Sequence, residues 1–167
     1  GNICLTFDDG PDPIMTPEIL EILDRHHVKG TFFLIGENVL ANPELVKQIS
    51  DEGHSIGNHT YYHKTIFPIS SKNRITEEIK KTNQILEKIT SKKIIFFRPP
   101  FGITNPNIKK TLKKLEMTSI GWDVRSLDTI TKDAEKLSNR VINEINKGGS
   151  IILFHDRCKS TLSILAF

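Results

Sequence analysis

Apolar runs of strand character recur along the chain at residues 3–7, 31–35, 54–57, 94–97, 118–122 and 150–154, the third of them short and weak. Between these runs the apolar positions switch to helical spacing. Ile75, Ile79, Leu86 and Ile89 mark one helix, Ile108, Leu112 and Leu115 another, and Ala134, Leu137, Val141 and Ile145 a third, which Gly148-Gly149 ends. Thr16-Pro17-Glu18 and Asn42-Pro43-Glu44 each place a capping side chain, a proline at the first helical position and an acid in the first turn. Asn105-Pro106-Asn107 repeats the cap and the proline. The pattern predicts five helices alternating with six strands. Strands that are apolar almost throughout need cover on both faces. The expected class is therefore α/β, with parallel strands under a helical layer, as a barrel or an open sheet.

Composition narrows the reading without changing it. The 167 residues fit one domain, 1–167, that can bury a real core; 37% are hydrophobic and 26% charged, as expected of a globular protein. No apolar run approaches the span of a bilayer. The net charge of +3 is small, and Lys109, Lys110, Lys113 and Lys114 read as the solvated face of a helix, since no aromatics interleave with them. Nucleic acid is therefore not an expected partner. Cys4 and Cys158 form no CxxC pair, which argues against a zinc ribbon or a redox motif and leaves them bridged or free. The strand pattern starts within the first residues, so no signal peptide is read here.

The reactive side chains follow the strands. Asp8 and Asp9 come after the first, His59 and His63 after the third, Arg98 at the end of the fourth, Asp128 a few residues past the fifth, and His155 directly after the sixth. In a parallel α/β arrangement the strand C-termini open on one face, so these groups are expected to converge. His59 and His63 stand four apart, the spacing that puts two imidazoles on one face of a helical turn. With Asp9 they make a His-His-carboxylate set, which leaves a tetrahedral Zn²⁺ one open position; Co²⁺ and Ni²⁺ accept the same donors. Asp8, adjacent but pointing elsewhere, suits a base, and Arg98 is its expected bidentate partner. In "RPPFG", Pro99 and Pro100 stiffen the turn and Gly102 lets it reverse. His155 suits a general acid once a carboxylate fixes its tautomer, and Asp128, Asp123 and Asp156 are all open to that task. His26, His27 and His54 read as structural, whereas Tyr61, Tyr62, Phe67 and Trp122 either line the site or belong to the core.

"TFDDGPD", "GHSIGNHTYYH", "FFRPPFG", "GWDVRSLD" and "IILFHD" occur in the order of the five motifs of the polysaccharide deacetylases, carbohydrate esterase family four, also called the NodB homology domain. The chain resembles that family over almost its whole length. The resemblance implies a distorted (β/α) barrel and a metal-dependent deacetylase that hydrolyses N-acetyl groups of a peptidoglycan or chitin-like polymer. Alternatives within the same chemistry are an O-acetyl esterase on acetylated xylan, another metallo-amidase, or an inactive sugar-binding homologue. It further implies Asp8 as base, Asp9, His59 and His63 as metal ligands, Arg98 as the residue orienting the base, His155 as acid and Asp128 as the carboxylate tuning it. Leu153 resembles the floor of the acetyl pocket, the Phe101 backbone N–H the oxyanion donor, and Pro100 and Trp122 substrate-side wall positions. Thr129 stands where many members have Trp, and Phe101 where Tyr is commoner. The family continues through the helix that "KSTLSIL" begins and through another strand, so a barrel lacking its last helix and strand is expected. An acetylated polysaccharide as partner, a monomeric state and a location outside the cytoplasm complete what the likeness implies.

Overall fold

A computed structural model describes residues 2–165 of the chain. Seven strands form one sheet: β1 (Cys4–Gly10), β2 (Thr31–Leu34), β3 (Ser55–Asn58), β4 (Phe96–Phe97), β5 (Thr118–Ser119), β6 (Val124–Arg125) and β7 (Ile151–His155). All pairings are parallel, in the order β5-β4-β3-β2-β1-β7-β6. Among the described residues nothing pairs β5 with β6, so the sheet is a curled half-barrel with two edges. The helices are α1 (Met15–Arg25), α2 (Gly36–Ala41), α3 (Pro43–Asp51), α4 (Lys72–Thr90), α5 (Pro106–Lys114), α6 (Ala134–Asn146) and α7 (Lys159–Leu165).

The two-residue period of the strands sorts the sheet into two faces. Phe7 lies in register with Phe32 of β2 and Phe154 of β7. Their rings stack at centroid distances of 4.8 and 5.7 Å and belong to the main apolar core with Ile19, Leu20 and Leu23 of α1 and Val46 and Ile49 of α3. Thr6 and Asp8 alternate with Phe7 and so face the other way, in register with Leu153 and His155. One face of the central strands thus carries the core, and the other carries the polar groups.

The structure corrects several details of the expected element map. Of the strand expected at residues 118–122 only Thr118–Ser119 forms, as β5, and a further short strand, β6, follows at Val124–Arg125. Ile120 still donates its N–H to Phe97, but the Ile120 and Gly121 carbonyls turn to the Arg98 guanidinium instead of a neighbouring strand. β4 shrinks to Phe96–Phe97, and α2 occupies a stretch whose six residues carry no capping side chain to announce it. Asp8 and Asp9 lie within β1, and His155 ends β7 rather than following it. Thr16 does not cap α1. Asp12 does so, its Oδ1 accepting from Ile14 and Met15 N–H, while Asn42 caps nothing through its side chain and Asn105 caps α5 through Ile108 N–H as expected. His26 and His27 sit at the end of α1, the four lysines of α5 are exposed, and both cysteines are free.

Candidate active site

Arg98 is fully buried, a position a guanidinium tolerates only when its donors are satisfied. Nε donates to Ile120 O at 3.1 Å and Nη2 to Gly121 O at 2.8 Å; Nη1 serves Thr6 Oγ1 at 2.8 Å and Asp8 Oδ1 at 2.7 Å. Its plane lies 4.1 Å from the Phe33 ring centroid. Asp8 is thereby held through one oxygen, and its Oδ2 faces His59 Nε2 at 3.7 Å.

Asp9, His59 and His63 meet beside it. One ligand atom from each lies within 4.8 Å of the others, and Asp9 Oδ1 stands 3.5 Å from His59 Nε2 and 3.4 Å from His63 Nε2. The two histidines do not share a helical turn as their spacing suggested. Residues 59–63 form an irregular loop with Thr60 and His63 in the left-handed region, closed by Thr60 N–H on Asn58 Oδ1 and His63 N–H on Thr60 Oγ1. His59 Nδ1 lies 2.7 Å from the Arg98 carbonyl, which can only accept, so Nδ1 carries the proton and the neutral ring turns its Nε2 lone pair to the cluster.

The donor set fits a divalent metal. Asp9 Oδ1 is buried without a hydrogen-bond partner among the described residues, a costly state that a cation between it and the imidazoles would relieve. Burial would raise the Asp9 pKa, but the close approach of His59, with His63 and Arg157, holds the carboxyl well below the ordinary range. Burial disfavours charge on both imidazoles; Asp8 and Asp9 overcome this at His59 and raise its pKa, whereas at His63 burial and the neighbouring His59 leave it lowered.

Across the cluster, His155 Nδ1 lies 2.9 Å from Asp128 Oδ1, and its backbone N–H donates to Asp128 Oδ2 at 2.6 Å. Thr161 Oγ1 of α7 donates to the same Oδ2 at 2.7 Å, so both carboxylate oxygens have partners within the protein. Burial opposes charge on His155, yet the Asp128 hydrogen bond and charge prevail and raise its pKa; the same contacts outweigh burial to lower that of Asp128. Of the three carboxylates open to this task, Asp123 instead binds Ser150 and Ile151 N–H, and Asp156 is buried against Thr16 Oγ1.

The remaining expected positions frame these groups. Leu153 is buried beside Thr6, and Pro100 is buried in the short turn Pro100–Gly102. The turn's hydrogen bonds run from Gly102 N–H to Pro99 O and from Ile103 N–H to Pro100 O, leaving the Phe101 N–H outside them. Trp122 packs on Gly102, whose φ of 70° and open α-carbon allow the contact; an added Cβ would stand 2.4 Å from the indole. Phe101 is 54% exposed, with its ring centroid 5.0 Å from that of His63. Tyr61 and Phe67 are core residues, and Tyr62 is exposed and faces a cleft of about 370 Å³ with Asp9, His63 and Arg157. Sequence reasoning missed Thr161 and Arg157. Arg157 follows a strand end by two residues, the same placement that flagged the others, but no spacing pairs it with anything.

Backbone strain is concentrated here. Asp9, Thr60, His63, Phe101 and Leu127 all have positive φ beside these groups, while the other non-glycine cases, His27, Ser91 and Glu116, close the ends of helices.

A parallel half-barrel whose strand ends gather an Asp-His-His cluster, an arginine-held carboxylate and a carboxylate-backed imidazole has the layout of a metal-dependent hydrolytic site. The chain belongs to the polysaccharide deacetylase family, whose family model matches residues 1–120. It is 39% identical over 153 residues to a peptidoglycan-N-acetylglucosamine deacetylase of Bacillus cereus, a match covering 92% of this chain and 55% of the relative. The chain therefore spans about half of that relative. A peptidoglycan N-acetylglucosamine deacetylase solved in complex with 4-naphthalen-1-yl-N-oxidanyl-benzamide superposes with a TM-score of 0.92 at 35% identity, over 99% of this chain and 78% of that one. A family pseudoenzyme from Bacillus anthracis superposes with a TM-score of 0.91 at 34% identity, over 98% and 57% of the two chains.

Proposed function

We propose that this chain is the catalytic domain of a metal-dependent deacetylase that hydrolyses N-acetyl groups of a cell-wall or chitin-like N-acetylglucosamine polymer. The observation that carries the reading is the unpartnered Asp9 Oδ1 aimed at two imidazole nitrogens, flanked by Asp8 on one side and His155 on the other. Asp9, His59 and His63 would hold the ion, Zn²⁺ by preference, with Co²⁺ and Ni²⁺ accepted by the same donors. When bound, such an ion supplies Lewis-acid polarisation of the acetyl carbonyl and of water.

The protein's own groups then divide the proton work. Asp8, fixed by Arg98 and with Oδ2 turned to the cluster, takes the proton of the attacking water. Arg98 orients that carboxylate. The Phe101 N–H offers a hydrogen bond to the oxygen on which charge develops. Leu153 floors the space for the acetyl methyl, and Pro100 and Trp122 hold the wall that carries Phe101. Asp128 holds the Nδ1 proton of His155 and favours the imidazolium form, whose Nε2–H is then the donor to the leaving nitrogen. An amide nitrogen leaves poorly unless protonated, and without that donor the tetrahedral species would revert to substrate.

Peptidoglycan and chitin-like polymers lie outside the cytoplasm or at the cell surface, and the proposed place of action is there. Among the described residues no helix is long and apolar enough to cross a membrane. The likeness to a pseudoenzyme supports a second reading, a sugar-binding homologue without turnover. Metal content and acetate release from an N-acetylglucosamine oligomer, with and without chelator, separate the two. Chelator-sensitive release supports the deacetylase. A loaded protein that releases acetate only from acetyl-xylan makes it an esterase, and one inert on both supports the second reading.

A further inference from the structure

Arg157 has no part in the proton work, yet it touches the cluster. Its Nε lies 3.1 Å from Asp9 Oδ2, whereas the close approach to His59 and His63, at 3.5 and 3.4 Å, is made by the other oxygen, Oδ1. The Asp9 backbone is fixed independently, with φ at 75° and its carbonyl accepting from Asn38 Nδ2 at 2.9 Å. What the backbone leaves open is rotation of the carboxylate, which decides whether one oxygen or both can face an ion. The guanidinium closes that choice.

We propose that Arg157 is a positioning residue that confines Asp9 to metal ligation through Oδ1 alone, keeping open a coordination position that its second oxygen would otherwise take. The inference rests on the metal site proposed above. Hydrogen bonds to a ligand's far atom commonly set its orientation and donor strength. Here the partner is a cation, so it also draws charge from the carboxylate and opposes the approach of a second positive charge. Both effects favour an ion that is held less tightly and is more open to water and substrate. As an ion pair for stability, the contact counts for little, since the Arg157 side chain is 62% exposed.

The test is Arg157→Gln, titrated with Co²⁺, whose visible absorption reports ligand number and geometry. Wild type is expected to bind Co²⁺ with the spectrum of a low-coordinate site. In R157Q the freed Oδ2 joins Oδ1, the visible absorption loses intensity, and Zn²⁺ affinity measured by competition tightens about tenfold. The melting temperature of the metal-free variant is expected within about 2 °C of wild type, so that a folding defect is not mistaken for the effect. An R157Q spectrum identical to wild type overturns the inference, and so does weaker Zn²⁺ binding, which would mean that Asp9 needs Arg157 to bind at all. A wild type that takes up no metal sinks the metal site itself, a failure distinct from either.

Discussion

The two ends of the site are built on opposite terms. At the Asp9-His59-His63 end, a buried carboxylate oxygen has no partner among the described residues, and two imidazoles are pushed in opposite directions. At the His155-Asp128 end, the carboxylate already takes the imidazole, a backbone N–H and the Thr161 hydroxyl, and the two pKa shifts reinforce one pair. The first end is incomplete without a ligand; the second is complete without one. Buried polar groups are costly when unpaired, so the difference matches the proposed division between an end that receives an ion and an end that holds a proton.

The largest expected effect comes from emptying the first end. Chelation, or Asp9→Asn, should remove metal and turnover together, with activity returning on Zn²⁺ addition only in wild type; metal analysis beside acetate release checks it. Next, Asp8→Asn should cost on the order of 10²–10⁴-fold in kcat while the metal stays bound, because the amide oxygen still accepts from Arg98 but takes no proton from water. Metal loss in that variant would make Asp8 part of the metal end and not a separate base.

Asp128→Asn sharpens the comparison from the other side. Asp128 raises the His155 pKa, and in the proposed mechanism the acid form is the working one, so activity is expected to fall as pH rises through that raised value. Without the charge, burial dominates and the value drops. The alkaline limb of kcat should move to lower pH, with roughly a tenfold loss at neutral pH and unchanged metal content.

The smallest effect concerns Asp156, the buried carboxylate beside both ends. Its pKa is pushed up from 3.8 to about 7, chiefly by burial and against the Thr16 hydrogen bond, with the charges of Asp12 and Asp9 adding to the rise. A folded pKa above the unfolded one disfavours ionisation in the folded state. Stability should therefore decline as pH rises from about 4 through about 7, and Asp156→Asn should flatten that slope in thermal melts taken across the range. An equally steep slope in the variant would assign the titration to another group.

How far the sequence reached can be argued residue by residue. Reactive residues placed at strand ends predicted their own convergence, because parallel strands must open their C-termini on one face. The Asn105 cap was legible, since a short side chain three residues before a free N–H specifies its own contact. The His59–His63 pair was found for the wrong geometric reason. Spacing of four suggested a helical turn, whereas left-handed Thr60 and His63 and the Asn58 side chain bring the rings together in a loop. The fifth strand was overread because its carbonyls are claimed by a guanidinium more than twenty residues earlier in the chain.

By itself, the sequence determined the alternation of strands with helices and which chemistries stand at the strand ends. These are consequences of local spacing and side-chain type. Only the tertiary structure decided that Asp128 rather than Asp123 or Asp156 backs His155, that Arg98 places four hydrogen bonds at this one site, and that Arg157 reaches Asp9. Those choices depend on which groups lie within about 3 Å of each other across different strands, at a reach where hydrogen bonds form or fail and which no periodicity along the chain encodes.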